Sequence, residues 1–244
     1  MDKQDAYVTL AKWFEYLNDD CGYEKWSQYF IAKLRAYPVR IGLDIGCGGG
    51  WFTRAFARAG YQMTGMDISA EMLDAAQSQA IKEGVRGEYL LGDITRKKLP
   101  KRFDFVTAIN DCINYIPKDK LGAAFKNVGS ALKKGGVFMF DISSKYKYEH
   151  KLNGTVSADD RDDITYLAFN NLQGDKVTID VTLFVKGQDN KFERYDERHE
   201  QFVYEEDEIL QALQSGGFAV QSVEGHLGEE KTHSDRLLFT AVKQ

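Results

Sequence analysis

Five short apolar runs separated by amphipathic stretches occupy residues 39 to 142, and this rhythm leaves few folds open. The runs are "VRIGLDI" (39–45), "YQMTGMDI" (61–68), "GEYLLGDI" (87–94), "FDFVTAIN" (103–110) and "GGVFMFDI" (135–142). Between them Phe52, Ala55, Phe56 and Ala59 share one helical face, as do Leu121, Ala124, Phe125, Val128 and Leu132. Strand, helix, strand in this order predicts right-handed crossovers and an α/β fold whose mostly parallel sheet is covered on both faces.

The flanks follow other periods. Tyr7, Leu10, Ala11, Phe14 and Leu17 make a helical stripe with no strand to pair it, so residues 1–36 are expected to form a helical cap at the side or mouth of the core. The core itself spans 37–145. Beyond it Val177, Ile179, Val181, Leu183 and Val185 alternate with more polar positions, a strand period of two. "NNLQGDK" and "KGQDNK" on either side read as hairpin turns. Residues 146–204 are therefore an insertion, with a three-stranded antiparallel meander over about 162–204. In 205–244, "EEDEILQALQSGG" reads as a helix stopped at glycine, followed by two last strands that complete the core.

Composition narrows the partners. At 43% hydrophobic and 28% charged, the 244 residues suit a soluble protein, and no apolar run approaches the ~20 residues of a membrane span. The polar start "MDKQDAYVTLAKW" is unlike a signal peptide, so the cytoplasm is the expected location. Cys21, Cys47 and Cys112 are too widely spaced for a disulfide framework or a zinc site, and the four histidines are scattered, so no metal is expected. A net charge of −5 speaks against a protein built to bind nucleic acid. The basic stretch "RKKLPKR" (96–102) reads as a solvated loop, with an RNA-contacting edge as the alternative.

The first apolar run ends in five glycines between Gly42 and Gly50. A glycine-rich turn between a first strand and its helix lets a ligand touch backbone at the carboxyl edge of a parallel sheet. A dinucleotide needs Gly-x-Gly-x-x-Gly, but counting from Gly46 and Gly48 the third position is Trp51. The spacing Asp44-x-Gly46-x-Gly48 instead resembles the S-adenosylmethionine (SAM) site of the class I methyltransferases. A ligand carrying an ammonium and a sulfonium welcomes acid at the strand end.

What that resemblance implies is a Rossmann-like fold of seven strands with the last antiparallel, and SAM as cofactor. Asp67, in "GMDIS", would accept the ribose hydroxyls; a helix N-cap fits Ser69 better. Asp93, in "LGDIT", would meet the adenine amino group, with Ile68 and Ile94 sandwiching the ring. The Asn110 carbonyl would take the methionyl ammonium. Asp44 would be its counter-charge or the orienter of the loop.

"YVTLAKWFEYL…YEKW", "INDCINYI" and "ERHEQFVYEEDEI" are also similar to small bacterial methyltransferases, amino-sugar N-methyltransferases among them. On that likeness Tyr7 and Trp26 would close over the cofactor as a lid, though Trp26 also suits simple core packing. Asp111, Asn114 and Tyr115 would line the acceptor pocket, with a helix cap as the alternative for Asn114 and ring packing for Tyr115. Glu197, His199 and Gln201 share a strand face, and His199 would either face the acceptor or be structural. The implied activity is methyl transfer by in-line displacement to a small-molecule amine or hydroxyl, by a monomer or homodimer. An RNA methyltransferase and a non-catalytic SAM-binding protein are the alternatives.

Overall fold

The computed structural model describes residues 6–96, 98–99 and 103–244, so most of the basic stretch 96–102 lies outside the described residues. The five apolar runs become strands β1 (Ile41–Ile45), β2 (Gln62–Asp67), β3 (Glu88–Leu91), β4 (Phe103–Ala108) and β5 (Leu132–Ser143). In the second half come β6 (Val156–Asp160), β7 (Ile164–Gln173), β8 (Lys176–Lys186), β9 (Phe192–Phe202), β10 (Phe218–Glu224) and β11 (Arg236–Lys243). Helices are α1 (Phe14–Leu17), α2 (Tyr23–Leu34), α3 (Trp51–Arg58), α4 (Ala70–Lys82), α5 (Lys118–Ala131), α6 (Lys145–Lys147) and α7 (Glu206–Ser215).

The main sheet has seven strands in the order β10-β11-β5-β4-β1-β2-β3. β11 runs antiparallel to both its neighbours, and the other pairings are parallel. Strand alternation divides the core in two. Leu43, Val106, Phe138 and Phe140 face α5 and α7, while Phe105, Val137 and Met139 face α2 and α3.

The insertion differs from expectation. Its sheet has four strands, β6-β7-β8-β9, all antiparallel. β6, "VSADD", is short and largely exposed, and the alternation of Val156 and Ala158 with Ser157 and Asp159 is too brief to announce a strand. The N-terminal stripe is not one helix either. It breaks into a 3-10 turn at Leu10–Lys12 and the single turn α1, together forming a strap. Its apolar residues pack on the insertion sheet and not, as expected, on the core. Leu10, Phe14 and Leu17 cover Ile164, Ala168, Val181 and Leu183 of the insertion sheet. The strap thus supplies the apolar cover that a lone four-stranded sheet lacks.

Candidate active site

A cavity of about 520 Å³ opens at the carboxyl ends of the parallel strands, between the glycine loop and the strap. Some of the glycines answer to the protein itself. A Cβ on Gly42 would overlap the Phe105 ring, and one on Gly46 would overlap the Cys112 sulfur. Gly46 and Gly50 also take the left-handed backbone, at φ 63° and 82°, which bends the chain from β1 into α3.

Among the described residues, four acids line the cavity: Glu15, Asp44, Asp67 and Asp93. Asp44 is buried, and its two carboxylate oxygens accept from Thr53 Oγ1 at 2.7 Å and Thr107 Oγ1 at 2.9 Å. It ties α3, the helix that follows the glycine loop, to β4. Burial raises its pKa to about 6 against the two hydroxyls, and neighbouring Asp67 adds to the rise. Asp67 accepts the Gly48 amide at 2.8 Å and the Ser69 amide at 2.9 Å. Burial pushes its pKa up too, opposed by those amides. Ser69 caps α4 by accepting from the Met72 amide, so Asp67 is not the cap. Asp93 accepts from Thr95 Oγ1 at 2.7 Å.

Beside these acids, Ile68 stands 72% exposed while Ile94 is buried, both against the cavity. An apolar side chain held open at a strand end offers a face to a flat ring. Acid-lined, apolar-flanked and reached by backbone, the cavity fits a cation-bearing nucleoside such as SAM and would repel a pyrophosphate.

A chain of Geobacillus sp. (strain WCH70) described as a methyltransferase is 31% identical over 247 residues, covering 98% of this chain and 100% of that one. A family model for a methyltransferase domain matches residues 43–136. The crystal structure of a SAM-dependent methyltransferase from Clostridium acetobutylicum superposes with a TM-score of 0.86 at 28% identity, over 95% of this chain and 96% of that one. The chain belongs to the class I SAM-dependent methyltransferases. Its fold is also that of the sugar N-methyltransferase KedS8 from Streptoalloteichus (TM-score 0.84, 18% identity, 100% and 96% covered).

The methyltransferase has a second, smaller cavity of about 240 Å³ between strap and insertion sheet. Tyr7, Phe14 and Tyr115 line both cavities, and His199 lines the second alone. Tyr7 Oη and Tyr115 Oη lie 2.8 Å apart, and Tyr115 Oη is 3.3 Å from His199 Nδ1. Burial holds both phenols well above their ordinary pKa, so they work as neutral hydroxyls. On the other side of the imidazole, Nε2 is 3.4 Å from a Glu197 oxygen, an electrostatic contact out of line for a hydrogen bond.

Three expected placements need correction. Trp26 does not reach the cofactor cavity. It is buried on the α2 side of the sheet, against Phe52 at 5.5 Å and under the Arg236 guanidinium at 4.6 Å. Tyr23, one helical turn earlier, lines the cavity in its place. Asp111 turns away from both cavities to pair with Arg236 and accept from Ser143 Oγ. Asn114 is fully buried, bracing Ser143 and the Phe202 carbonyl.

Asn110 remains on the cavity wall. Its amide donates to Asp141 at 2.6 Å and its side chain accepts from Arg236. Asn110 and Asp111 are consecutive left-handed residues (φ 66° and 62°), and the Asp141–Arg236 pair clamps them. Glu15, which the sequence reading left unassigned, lies beside Gly49 and pairs with the buried Arg54 at 2.7 Å. Its one signal was its place next to Phe14 on the apolar stripe.

Proposed function

We infer that the enzyme methylates a small-molecule amine or hydroxyl compound seated in the second cavity. The observation that carries this reading is the junction. Among the described residues, the smaller cavity meets the acid-lined one where Tyr7, Phe14 and Tyr115 belong to both. Its volume lies below the usual ligand-pocket range of roughly 300–1,000 Å³, which favours a compact acceptor over a polymer. The net charge of −5 points the same way.

SAM supplies an already activated methyl group on its sulfonium. What the protein must add is placement, worth ~7–11 kcal/mol of barrier when the reacting atoms are held in line. In this reading Asp67 holds the ribose, Asp93 the adenine amino group, and Ile68 and Ile94 flank the ring. Gly46, Gly48 and the Asn110 carbonyl carry the methionyl end. An acceptor N–H or O–H can donate into the Tyr7–Tyr115 hydroxyl pair. His199 Nδ1, next in line, can take the proton.

A SAM-consumption screen against pooled amines, amino sugars, phenols and tRNA tests the assignment. Turnover is expected with one of the small-molecule pools. Turnover with tRNA alone would replace it with the RNA reading.

A further inference from the structure

Glu197 is fully buried on β9, yet it serves the strap rather than its own sheet. One carboxylate oxygen accepts the Thr9 amide at 2.5 Å and the Leu10 amide at 2.8 Å; the other accepts the Tyr7 amide at 2.9 Å. The oxygen that takes the Tyr7 amide is also the one 3.4 Å from His199 Nε2. A closed circuit results: Tyr7 backbone to Glu197, Glu197 to His199, His199 to Tyr115, and Tyr115 hydroxyl back to the Tyr7 hydroxyl. The Tyr7 ring stands edge-on to His199 inside it, 4.6 Å between centroids.

Such a carboxylate is expensive to bury unless every lone pair is used, and amide donors to a charged oxygen are among the stronger hydrogen bonds. Burial alone would raise its pKa. His199 and the Leu10 and Thr9 amides outweigh that and lower it, so the group is charged at neutral pH. Other groups hold the far end of the strap. Arg161 donates to the carbonyls of Tyr16 and Leu17, and Glu15 pairs with Arg54. Near the two cavities, Glu197 takes three strap amides onto one side chain.

We propose that Glu197 is a positioning residue for methyl transfer, seating Tyr7 at the junction of the two cavities so that cofactor release requires breaking its grip on the strap. Tyr7 and Phe14 wall the SAM cavity, and the Tyr7, Thr9 and Leu10 amides tether this part of the strap to Glu197. The inference depends on SAM binding and not on which acceptor is methylated.

The test uses the full chain and SAM itself. Stopped-flow displacement gives the SAM dissociation rate, and hydrogen exchange reads the amides of Tyr7, Thr9 and Leu10. In Glu197→Gln one carboxylate oxygen becomes an NH₂ donor facing an N–H donor. Dissociation should accelerate about tenfold or more, with those amides deprotected and the variant still folded by circular dichroism. Tyr7→Phe keeps the backbone bonds and should keep the amides protected. Unchanged dissociation in Glu197→Gln overturns the proposal, as does deprotection without faster release. If circular dichroism shows the variant misfolded, the parent decides. Its three amides should exchange more slowly as SAM occupancy rises, and exchange indifferent to SAM overturns the proposal.

Discussion

Asp67 orders the glycine loop through the Gly48 amide and accepts the Ser69 amide; in the function proposed above the same carboxylate also takes the ribose hydroxyls. Asp67→Ala should weaken SAM binding by about 2–4 kcal/mol, roughly 30- to 1000-fold, read by calorimetric titration. Unchanged affinity would remove it from the cofactor site. Asp44 gives a pH signature. Its pKa of about 6, raised chiefly by burial, leaves it largely protonated in more acidic solution. A cationic cofactor favours the ionised form, so binding there must expel a proton. SAM affinity should be flat above pH ~6 and fall by up to about tenfold per unit below it. A calorimetric series with constant affinity down to about pH 5 would contradict this. His199→Ala should lower kcat by about 10²-fold while SAM affinity stays within about threefold. Activity within a few-fold of the parent on an identified acceptor would make His199 structural.

At the scale of elements, the loop after β4 is the least conventional piece. Its two left-handed residues hang on Asp141 and Arg236, which lie on the neighbouring strands β5 and β11. Arg236→Ala strands two acids, one of them fully buried, and should cost about 3–5 kcal/mol of stability in urea denaturation. A loss below about 1 kcal/mol would mean that the loop holds its shape unaided. Such clamps explain what the sequence could show and what it hid. Acids at the ends of β1, β2 and β3 were legible because strand period and glycine punctuation locate a strand's last residue. Side-chain direction within an irregular loop was not. Asp111 faces Arg236, 125 residues away, and no local pattern encodes that partner. For Trp26 the choice between lid and core packing stayed open for a related reason, since a helical stripe says which side is apolar but not what will cover it, and core packing is what the structure shows. β6 escaped notice because an exposed edge strand needs no apolar alternation.

In the whole molecule the insertion and the strap complete one another. The insertion sheet buries Ile164, Ala168, Val181 and Leu183 under Leu10, Phe14 and Leu17 of the strap, while Tyr148 and Leu152, which precede the sheet, cover Val177 and Leu172. A fragment spanning 154–204 should therefore be unfolded by circular dichroism; a cooperative thermal transition of that fragment would make it an independent domain. This shared core has a consequence for heat. If the strap must lift for cofactor to leave, each release event wets the apolar face that Leu10, Phe14 and Leu17 cover. Hydrating apolar surface raises heat capacity, so the activation enthalpy of SAM release should itself grow with temperature, and its Arrhenius plot should curve upward. Warming would then speed cofactor exchange more steeply than a barrier made of hydrogen bonds alone allows.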